Sequence, residues 1–327
     1  MRKKALTTLA VMVTLVPLAA CGRGSDSGSS SSGDSKSATL VISTLDNPFF
    51  VSVADGAKAK ASKVGITLDV QNANNSDQSS LDLASTALNK QPSVMIIDPV
   101  SSASGGSIVE QANTADVPVV AFDRMPSSGE LEAFIGYDAI QAGKNGATAL
   151  SEALGGQGTV VEIQGIMGTS VAQERSEGFQ QQIKSSPGIK VVSTQAAEFD
   201  RGTALDVMTN ILQSQPDIDG VYAANDEMAL GVIAALRARN LQGKVEVVGN
   251  DGIADAVTAV RNGTMYATNA ESPFALGVEV MTLADSVADG KPVEENKVLE
   301  GFLVKKGDVD SYCKELASLG DTETCAK

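Results

Sequence analysis

At 327 residues the chain is long enough to bury a sizeable core and to divide into two domains. A formal charge of −15 argues against a nucleic-acid partner, because phosphate binding rests on Lys and Arg. With no His anywhere, the commonest general base, the usual nucleophile triads and most zinc sites are excluded.

The first segment reads as an address rather than as fold. Arg2, Lys3 and Lys4 make a positive n-region, and residues 5–18 are an apolar run of secretory-signal length, short for a spanning helix. Leu18-Ala19-Ala20-Cys21 resembles a bacterial lipobox, which implies cleavage after residue 20 and lipidation of Cys21; the alternative is a plain signal peptide with a chance Cys. Loss of the three basic residues takes the formal charge from −15 to −18. The mature chain is therefore expected outside the cell, lipid-anchored to the outer face of the cytoplasmic membrane. Residues 21–37, nearly all Ser, Gly and Asp after the Cys, bury too little to order themselves and read as a flexible tether. Stable anchoring on such a tether needs two or more acyl chains.

From residue 38 the pattern alternates strand and helix. Apolar runs at 40–42, 66–70, 94–97 and 117–122 are separated by helical spacing, including 79–88 and 108–115. The first helix carries Phe50, Val53, Ala54, Ala57 and Ala61 on one face, with Asn47 as N-cap, Pro48 in its first turn and Gly65 just past its end. A second series follows, with strands at 160–163, 191–193, 221–223, 245–248 and 265–268 and helices near 171–183, 203–213, 227–239 and 253–261. Such βαβ series predict mostly parallel sheets covered on both faces. The fold class is α/β, with two Rossmann-like parallel-sheet lobes, a cleft between them, and the change of half near 135–139.

The turns at the carboxyl ends of these strands, where open α/β sheets bind ligands, carry the polar residues. They are Ser43-Thr44-Leu45-Asp46-Asn47-Pro48-Phe49-Phe50, Asp123-Arg124, the 164–170 loop with Glu174-Arg175 beyond it, Phe199-Asp200-Arg201, Asn225-Asp226-Glu227, Asn250-Asp251-Gly252 and Asn269-Ala270-Glu271. Any one Asp or Asn here reads as a helix cap. Their succession around two facing lobes reads as a cleft rich in Asp, Asn and Arg. A helix start cannot readily bury both Phe49 and Phe50 against one sheet, so at least one is expected to face a ligand. Carboxylates accept from hydroxyls, Arg donates in a fixed fork and Asn does both, while aromatic faces pack on C–H patches. That mixture suits a neutral polyhydroxylated ring held between Phe49 or Phe50 on one side and Phe199 on the other.

With these stretches in hand, the chain resembles the bacterial ribose-binding proteins, the periplasmic-type sugar-binding components of ABC importers, from about residue 38 to about residue 304. The motifs that carry the likeness are the 43–50 turn, Asp123-Arg124, Gln164-Gly165-Ile166-Met167-Gly168-Thr169-Ser170, Glu174-Arg175-Ser176-Glu177-Gly178-Phe179, Phe199-Asp200-Arg201, Asn225-Asp226-Glu227-Met228-Ala229-Leu230 and Asp251-Gly252. The resemblance implies a type I periplasmic binding protein whose lobes are joined by three hinge crossovers. It implies an N-terminal lobe of 38–137 plus 272–300 and a C-terminal lobe of 138–271 plus 301–327. It implies that Asn47, Asp123, Arg124, Arg175, Asn225 and Asp251 hydrogen-bond the sugar, that Phe49, Phe50 and Phe199 enclose its faces, and that the protein is a monomer.

One position departs from the family pattern. Glu271 stands where the ribose binders have Gln; Gln donates and accepts, whereas an ionised Glu only accepts. Either Glu271 takes a hydroxyl proton of ribose or of another pentose, hexose or polyol, or it turns to solvent at the lobe edge. Two further thiols, Cys313 and Cys325, read as a disulfide outside the cell, with free thiols as the alternative. The tail after Lys306 departs from the family, and its use is open. The 165–170 loop lacks the Lys of a P-loop, and no EF-type spacing occurs, so neither a cofactor nor a metal is expected.

The expected function is capture of a monosaccharide, D-ribose or a related sugar, by hinge closure, and its delivery to an ABC permease driven by a separate ATPase, with no catalysis. A sugar or autoinducer sensor feeding a signalling receptor would have the same sequence. A secreted carbohydrate-active enzyme, drawing acid and base from Asp123, Asp251 and Glu271, is the rival of another class.

Overall fold

The computed structural model describes residues 36–326. The predicted signal segment, the Cys21 lipidation site and the tether up to residue 35 lie outside the described residues. In chain order the elements are β1 (Ser37–Ile42), α1 (Pro48–Val64), β2 (Thr67–Asn72), α2 (Asp77–Leu88), β3 (Val94–Ile97), α3 (Ser102–Thr114), β4 (Val119–Phe122) and β5 (Ala133–Tyr137). There follow α4 (Ala139–Ala153), β6 (Gln157–Gln164), α5 (Ser170–Ile183), β7 (Gly188–Ala196), α6 (Arg201–Ser214), β8 (Gly220–Ala223), α7 (Asp226–Ala238), β9 (Glu246–Asp251), α8 (Ala254–Asn262) and β10 (Ala267–Ala270). The chain ends with α9 (Pro273–Ala288), β11 (Asn296–Leu299), β12 (Phe302–Lys305) and α10 (Val309–Leu319).

The strands form two six-stranded sheets, in the orders β11-β5-β4-β3-β1-β2 and β12-β10-β9-β8-β6-β7. Every pairing is parallel except β10 with β12. The central strands of the first sheet, Val-Met-Ile-Ile in β3 and Val-Val-Ala-Phe in β4, are buried at every position. Helices cover both faces of a parallel sheet, so such strands are continuous apolar runs rather than alternating ones. The edge strands β2 and β7 are polar and partly exposed, and their ends extend past the short apolar runs that betray them.

The chain passes between the sheets three times: at Asp138 between β5 and α4, at Glu271-Ser272 between β10 and α9, and at Glu300-Gly301 between β11 and β12. Helix α4 packs on α5 of the second sheet, and α9 packs on α1 of the first. The second passage is fastened by Tyr137, whose hydroxyl accepts from the Ser272 amide at 2.8 Å. Tyr312 on α10 donates to the Glu271 carbonyl at 3.1 Å.

Three sequence expectations need correction. Ser37 is not tether but the first residue of β1, in register with Thr67, and Lys36 before it pairs with Asp285 and Asp289 of the α9 end. A two-residue extension of this kind is invisible to composition, because it is fixed by a neighbouring strand and a distant helix end. The strand expected from residue 117 begins at Val119, after Pro118, which has no N–H for the ladder. Strands β5, β11 and β12 and helices α4, α9 and α10 were not among the expected elements. The tail after Lys306 folds as α10 and a short loop, closed by a disulfide between Cys313 and Cys325 with Cα atoms 5.6 Å apart.

Candidate functional site

The carboxyl ends of the two sheets face one small cavity of about 260 Å³, lined by Asn47, Phe49, Phe50, Asp123, Arg124, Val171, Arg175, Phe199, Asn225 and Asp251. Nine of these residues are candidates from the sequence, and they come from six separate strand-end turns or helix starts. Two hydrogen bonds join the rims across the cleft, backbone to backbone from Ser102 N to Gly168 O at 3.1 Å and backbone to side chain from Met125 N to Ser170 Oγ at 2.9 Å. The described form is therefore closed. A neighbouring recess of about 460 Å³, lined also by Thr44 and Arg201, shares Asn47, Phe50, Arg124 and Phe199 with the cavity.

The two asparagines are held by their own helices. Asn47 Oδ1 accepts from Phe49 N at 2.9 Å, and Asn225 Oδ1 accepts from Met228 N at 3.0 Å. Capping consumes each oxygen and leaves each Nδ2 as a donor. The cap reading therefore holds for both residues, and both also line the cavity; Asn225 Nδ2 lies 3.5 Å from the Phe199 carbonyl, to which it donates.

Phe49 and Phe50 are both buried, at 3 % exposure, with rings 5.2 Å apart and nearly perpendicular. Both rings line the cavity, so neither is buried against the first sheet alone. Phe199 caps the other side, 5.7 Å from the Arg124 guanidinium, which also lies 5.2 Å from the Phe50 ring. Gly165 makes room for it, since a Cβ there would lie 2.1 Å from Phe199 Cζ.

The charged side chains repeat one arrangement in each lobe. Arg124 donates from Nη1 to the carbonyls of Pro99 at 3.0 Å and Val100 at 3.4 Å, and its Nε lies 3.7 Å from both Asp98 Oδ1 and Asp123 Oδ2. Arg175 donates from Nη1 to Ala224 O at 2.9 Å and Asp251 Oδ1 at 3.3 Å, and from Nη2 to Glu271 Oε1 at 2.9 Å. Its helix lies tight on α4, where a Cβ on Gly143 would be 2.0 Å from the Arg175 carbonyl oxygen. Neither Nε finds a hydrogen-bond partner among the described residues. Burial pushes the Asp123 carboxyl up, and Arg124 and Arg175 oppose it. Asp251 is pushed well above the usual carboxylate range by burial, against the pull of Arg175. Burial works against the charge of Arg175, but Glu271, Asp251 and Asp123 outweigh it and hold the guanidinium protonated. Asp123, Phe199 and Asp251 all have positive φ, at 58°, 58° and 121°. Three strained non-glycine residues on one cavity mark a geometry that the surrounding fold enforces.

Glu271 is the one candidate that does not line the cavity. It does not turn to solvent either: it is fully buried behind Arg175, and Oε1 also accepts from Asn250 Nδ2 at 3.0 Å. Asn269 and Asn145 continue that chain outward to the first passage, at 3.0 and 2.8 Å. Sequence reasoning missed Val171, although it precedes Arg175 by four residues on the same helix face. It also missed Asp98, at the carboxyl end of β3, which the strand-end rule would have found. Asp98 is 1 % exposed, accepts from Ser43 N at 3.1 Å through Oδ2, and is pushed up to about 7 by burial against the pull of Arg124. Among the described residues no cluster of His, Cys, Asp and Glu is arranged to hold a metal ion.

Comparison with known proteins agrees with this architecture. Residues 38–292 match the periplasmic binding protein domain. The chain is 40% identical to the ribose import binding protein RbsB of Escherichia coli (strain K12), over 82% of this chain and 90% of that protein. Among solved structures it superposes on an ABC transporter solute binding protein from Bacillus halodurans C-125 with bound myo-inositol, with a TM-score of 0.81 at 29% identity, covering 86% of this chain and 98% of that one. A periplasmic solute binding protein from Actinobacillus succinogenes 130z with bound D-allose also gives a TM-score of 0.81 at 29% identity, covering 85% and 100%. These relatives are transport proteins that bind and release rather than enzymes. With its two parallel-sheet lobes, three passages and closed interlobe cavity, the chain belongs to the periplasmic binding protein family and has the type I fold.

Proposed function

We propose that this chain is the extracytoplasmic substrate-binding component of a sugar importer, capturing one monosaccharide between its lobes and delivering it to a membrane permease energised by a separate ATPase. The observation that carries this reading is the cavity. Its walls are small in number and mixed in kind, polar groups from both lobes alternating with aromatic faces, which suits a single polyhydroxylated ring. Phe49, Phe50 and Phe199 supply apolar faces, and Val171 adds an aliphatic wall. The rim supplies donors from Asn47, Asn225 and both arginines. No hydrogen bond among the described residues ends on the Asp123 carboxylate, so both its oxygens are available to hydroxyl donors, and Asp251 keeps Oδ2. Charge-assisted hydrogen bonds in a site closed from water are the stronger kind, and they reward a ligand that presents many hydroxyls.

The same reading assigns movement to the lobes 38–137 plus 272–300 and 138–271 plus 301–327, about the three passages. Ligand contacts made to both lobes at once stabilise the closed form. It includes a lipid anchor at Cys21 and a monomeric soluble domain. The test is calorimetric titration of the chain from Gly22, stripped of ligand by unfolding and refolding, against ribose, xylose, arabinose, allose, galactose, glucose and several polyols. One-site binding to ribose or a related sugar, recovered unchanged, is the expected result; silence across the panel refutes it. For the anchor, Cys21→Ser is expected to release the protein from the membrane fraction.

A further inference from the structure

Two asparagines lie deep in the second sheet, where central parallel strands are otherwise apolar. Asn250 of β9 is 0 % exposed and Asn269 of β10 is 1 % exposed, and neither lines the cavity. Every polar side-chain atom of both is nevertheless paired. Asn250 Nδ2 donates to Asp251 Oδ1 at 3.1 Å and to Glu271 Oε1 at 3.0 Å, and Asn250 Oδ1 accepts from Asn269 Nδ2 at 3.0 Å. Asn269 Oδ1 accepts from Asn145 Nδ2 at 2.8 Å, and Asn145 Oδ1 accepts from Gln141 Nε2 at 2.9 Å. A chain of amides thus runs from the exposed start of α4 to Asp251, a carboxylate that lines the cavity.

The chain can have only one polarity. Asp251 Oδ1 and Glu271 Oε1 already accept from Arg175, so Asn250 must turn its amino group to them and its carbonyl away. Asn269 must then present its own amino group to that carbonyl, and the same holds outward to Gln141. Neighbouring side chains of a strand point to opposite faces, so Asn250 and Asp251 would not ordinarily meet. The φ of 121° at Asp251 breaks that alternation. The backbone strain at this residue therefore brings its carboxylate onto the amide chain. Asn250 Nδ2 and Arg175 Nη1 converge on Oδ1, which leaves Oδ2 for a ligand. Gly301, in the third passage, leaves room for the middle link, since a Cβ there would lie 2.9 Å from Asn269 Nδ2. The amide donors and both carboxylates lie on α4, β9, β10 and the turn that ends β10, so the arrangement is complete on the second sheet's side of the cleft.

We propose that Asn250 and Asn269 are positioning residues of the sugar site: they hold the Asp251 carboxylate with one oxygen turned inward and the other toward the ligand, and so set which hydroxyl arrangement the second lobe prefers. The inference rests on the sugar-binding reading and deepens it. A carboxylate free to rotate would offer either oxygen and would have to be ordered on binding. A buried network satisfied at every link removes that cost before the ligand arrives. Hydrogen bonds to charged groups are stronger than those between neutral amides, so the effect of losing a link should fall with distance from Asp251.

The experiment is titration calorimetry with the tightest binder among ribose, xylose, arabinose, allose, galactose and glucose, and thermal melts of the same proteins. Asn250→Leu should weaken affinity by roughly 10- to 100-fold and narrow the preference for that sugar over its epimers; Asn269→Leu should weaken it by roughly 3- to 10-fold. The variant carrying both changes separates positioning from packing. Asn269→Leu alone leaves Asn250 Oδ1 buried and unpaired, and the double variant removes that defect. The double variant should therefore melt above Asn269→Leu yet bind more weakly than it, at the level of Asn250→Leu. Were the two asparagines merely structural, affinity would follow stability and the double variant would bind better than Asn269→Leu. That order overturns the proposal, as do wild-type affinity and selectivity in a folded Asn250→Leu protein. If the buried variants do not fold, Asn145→Asp decides: at the half-buried outer end it keeps the size but puts an acceptor where the chain needs a donor. It should weaken binding about 3-fold or more, and unchanged affinity overturns the proposal. No heat from the wild type with any of the sugars refutes the sugar reading itself, and the positioning role falls with it; wild-type binding with variant affinities that follow stability refutes the positioning role alone.

Discussion

Replacing Arg175 by Met tests whether this guanidinium is what allows the second lobe to bury its carboxylates. In the native chain it is 4 % exposed and hydrogen-bonds Ala224 O, Asp251 and Glu271. Met fills much of the volume but removes the charge, leaving Asp251 and Glu271 buried without a cation in their own lobe. Breaking a buried ion pair from one side costs about 3–5 kcal/mol. Opening of the lobes rehydrates Asp251, so the lower end, about 3 kcal/mol, is the appropriate figure. In a domain of this size each kcal/mol moves the melting temperature by about 2–4 °C, which makes the expected loss near 6–12 °C at pH 8. The sign with pH follows from the raised carboxyl groups. A carboxyl held above its unfolded value destabilises the folded state in full above its folded-state pKa, and the penalty fades as pH falls through that value. Without Arg175 the values rise further, so the loss should shrink to less than half at pH 5. Thermal melts of both proteins at pH 5 and pH 8, followed by circular dichroism, decide the matter. An equal loss at both pH values, or no loss at pH 8, would refute the reasoning.

Other expectations follow from single contacts. Phe199→Ala removes one face of the cavity and the stack on Arg124, and should weaken sugar binding by about 2–3 kcal/mol, roughly 30- to 150-fold by calorimetry, with the melting temperature little changed. Gly143→Ala would force a Cβ to within 2.0 Å of the Arg175 carbonyl oxygen, and should cost about 1–3 kcal/mol in denaturant unfolding while weakening affinity by displacing α5. The paired change Cys313→Ser and Cys325→Ser opens a loop of 12 residues' separation; it should cost roughly 2–3 kcal/mol, read as earlier melting and faster amide exchange in α10.

Much of this molecule was legible along the chain, and for a local reason. Central parallel strands are apolar on both faces, so β3 appears in the sequence at its observed limits, residues 94–97. Polar residues that follow such strands lie at the carboxyl edge of a sheet, which narrows the candidates to a few turns, and the resemblance to the ribose binders is what picked the nine cavity residues out of them. The capping asparagines Asn47 and Asn225 were legible as caps and as site residues at once, because one amide serves both purposes.

What the order of residues could not decide is what depends on the other lobe or on a distant partner. The extension of β1 to Ser37 depends on Thr67 and the α9 end, and the edge strands β2 and β7 have too little apolar signal to show their limits. That Phe49 and Phe50 both line a cavity shared with residues of the second lobe is likewise not visible in their own segment. The position of Glu271 is of the same kind: its side chain lies inward because Arg175, 96 residues earlier, and Asn250 receive it there. Sequence thus determined the chemistry of the cleft, since residue types at strand ends are local. Tertiary structure alone decided which groups touch the cavity and which stand behind it, because that distinction is set by packing between segments far apart in the chain.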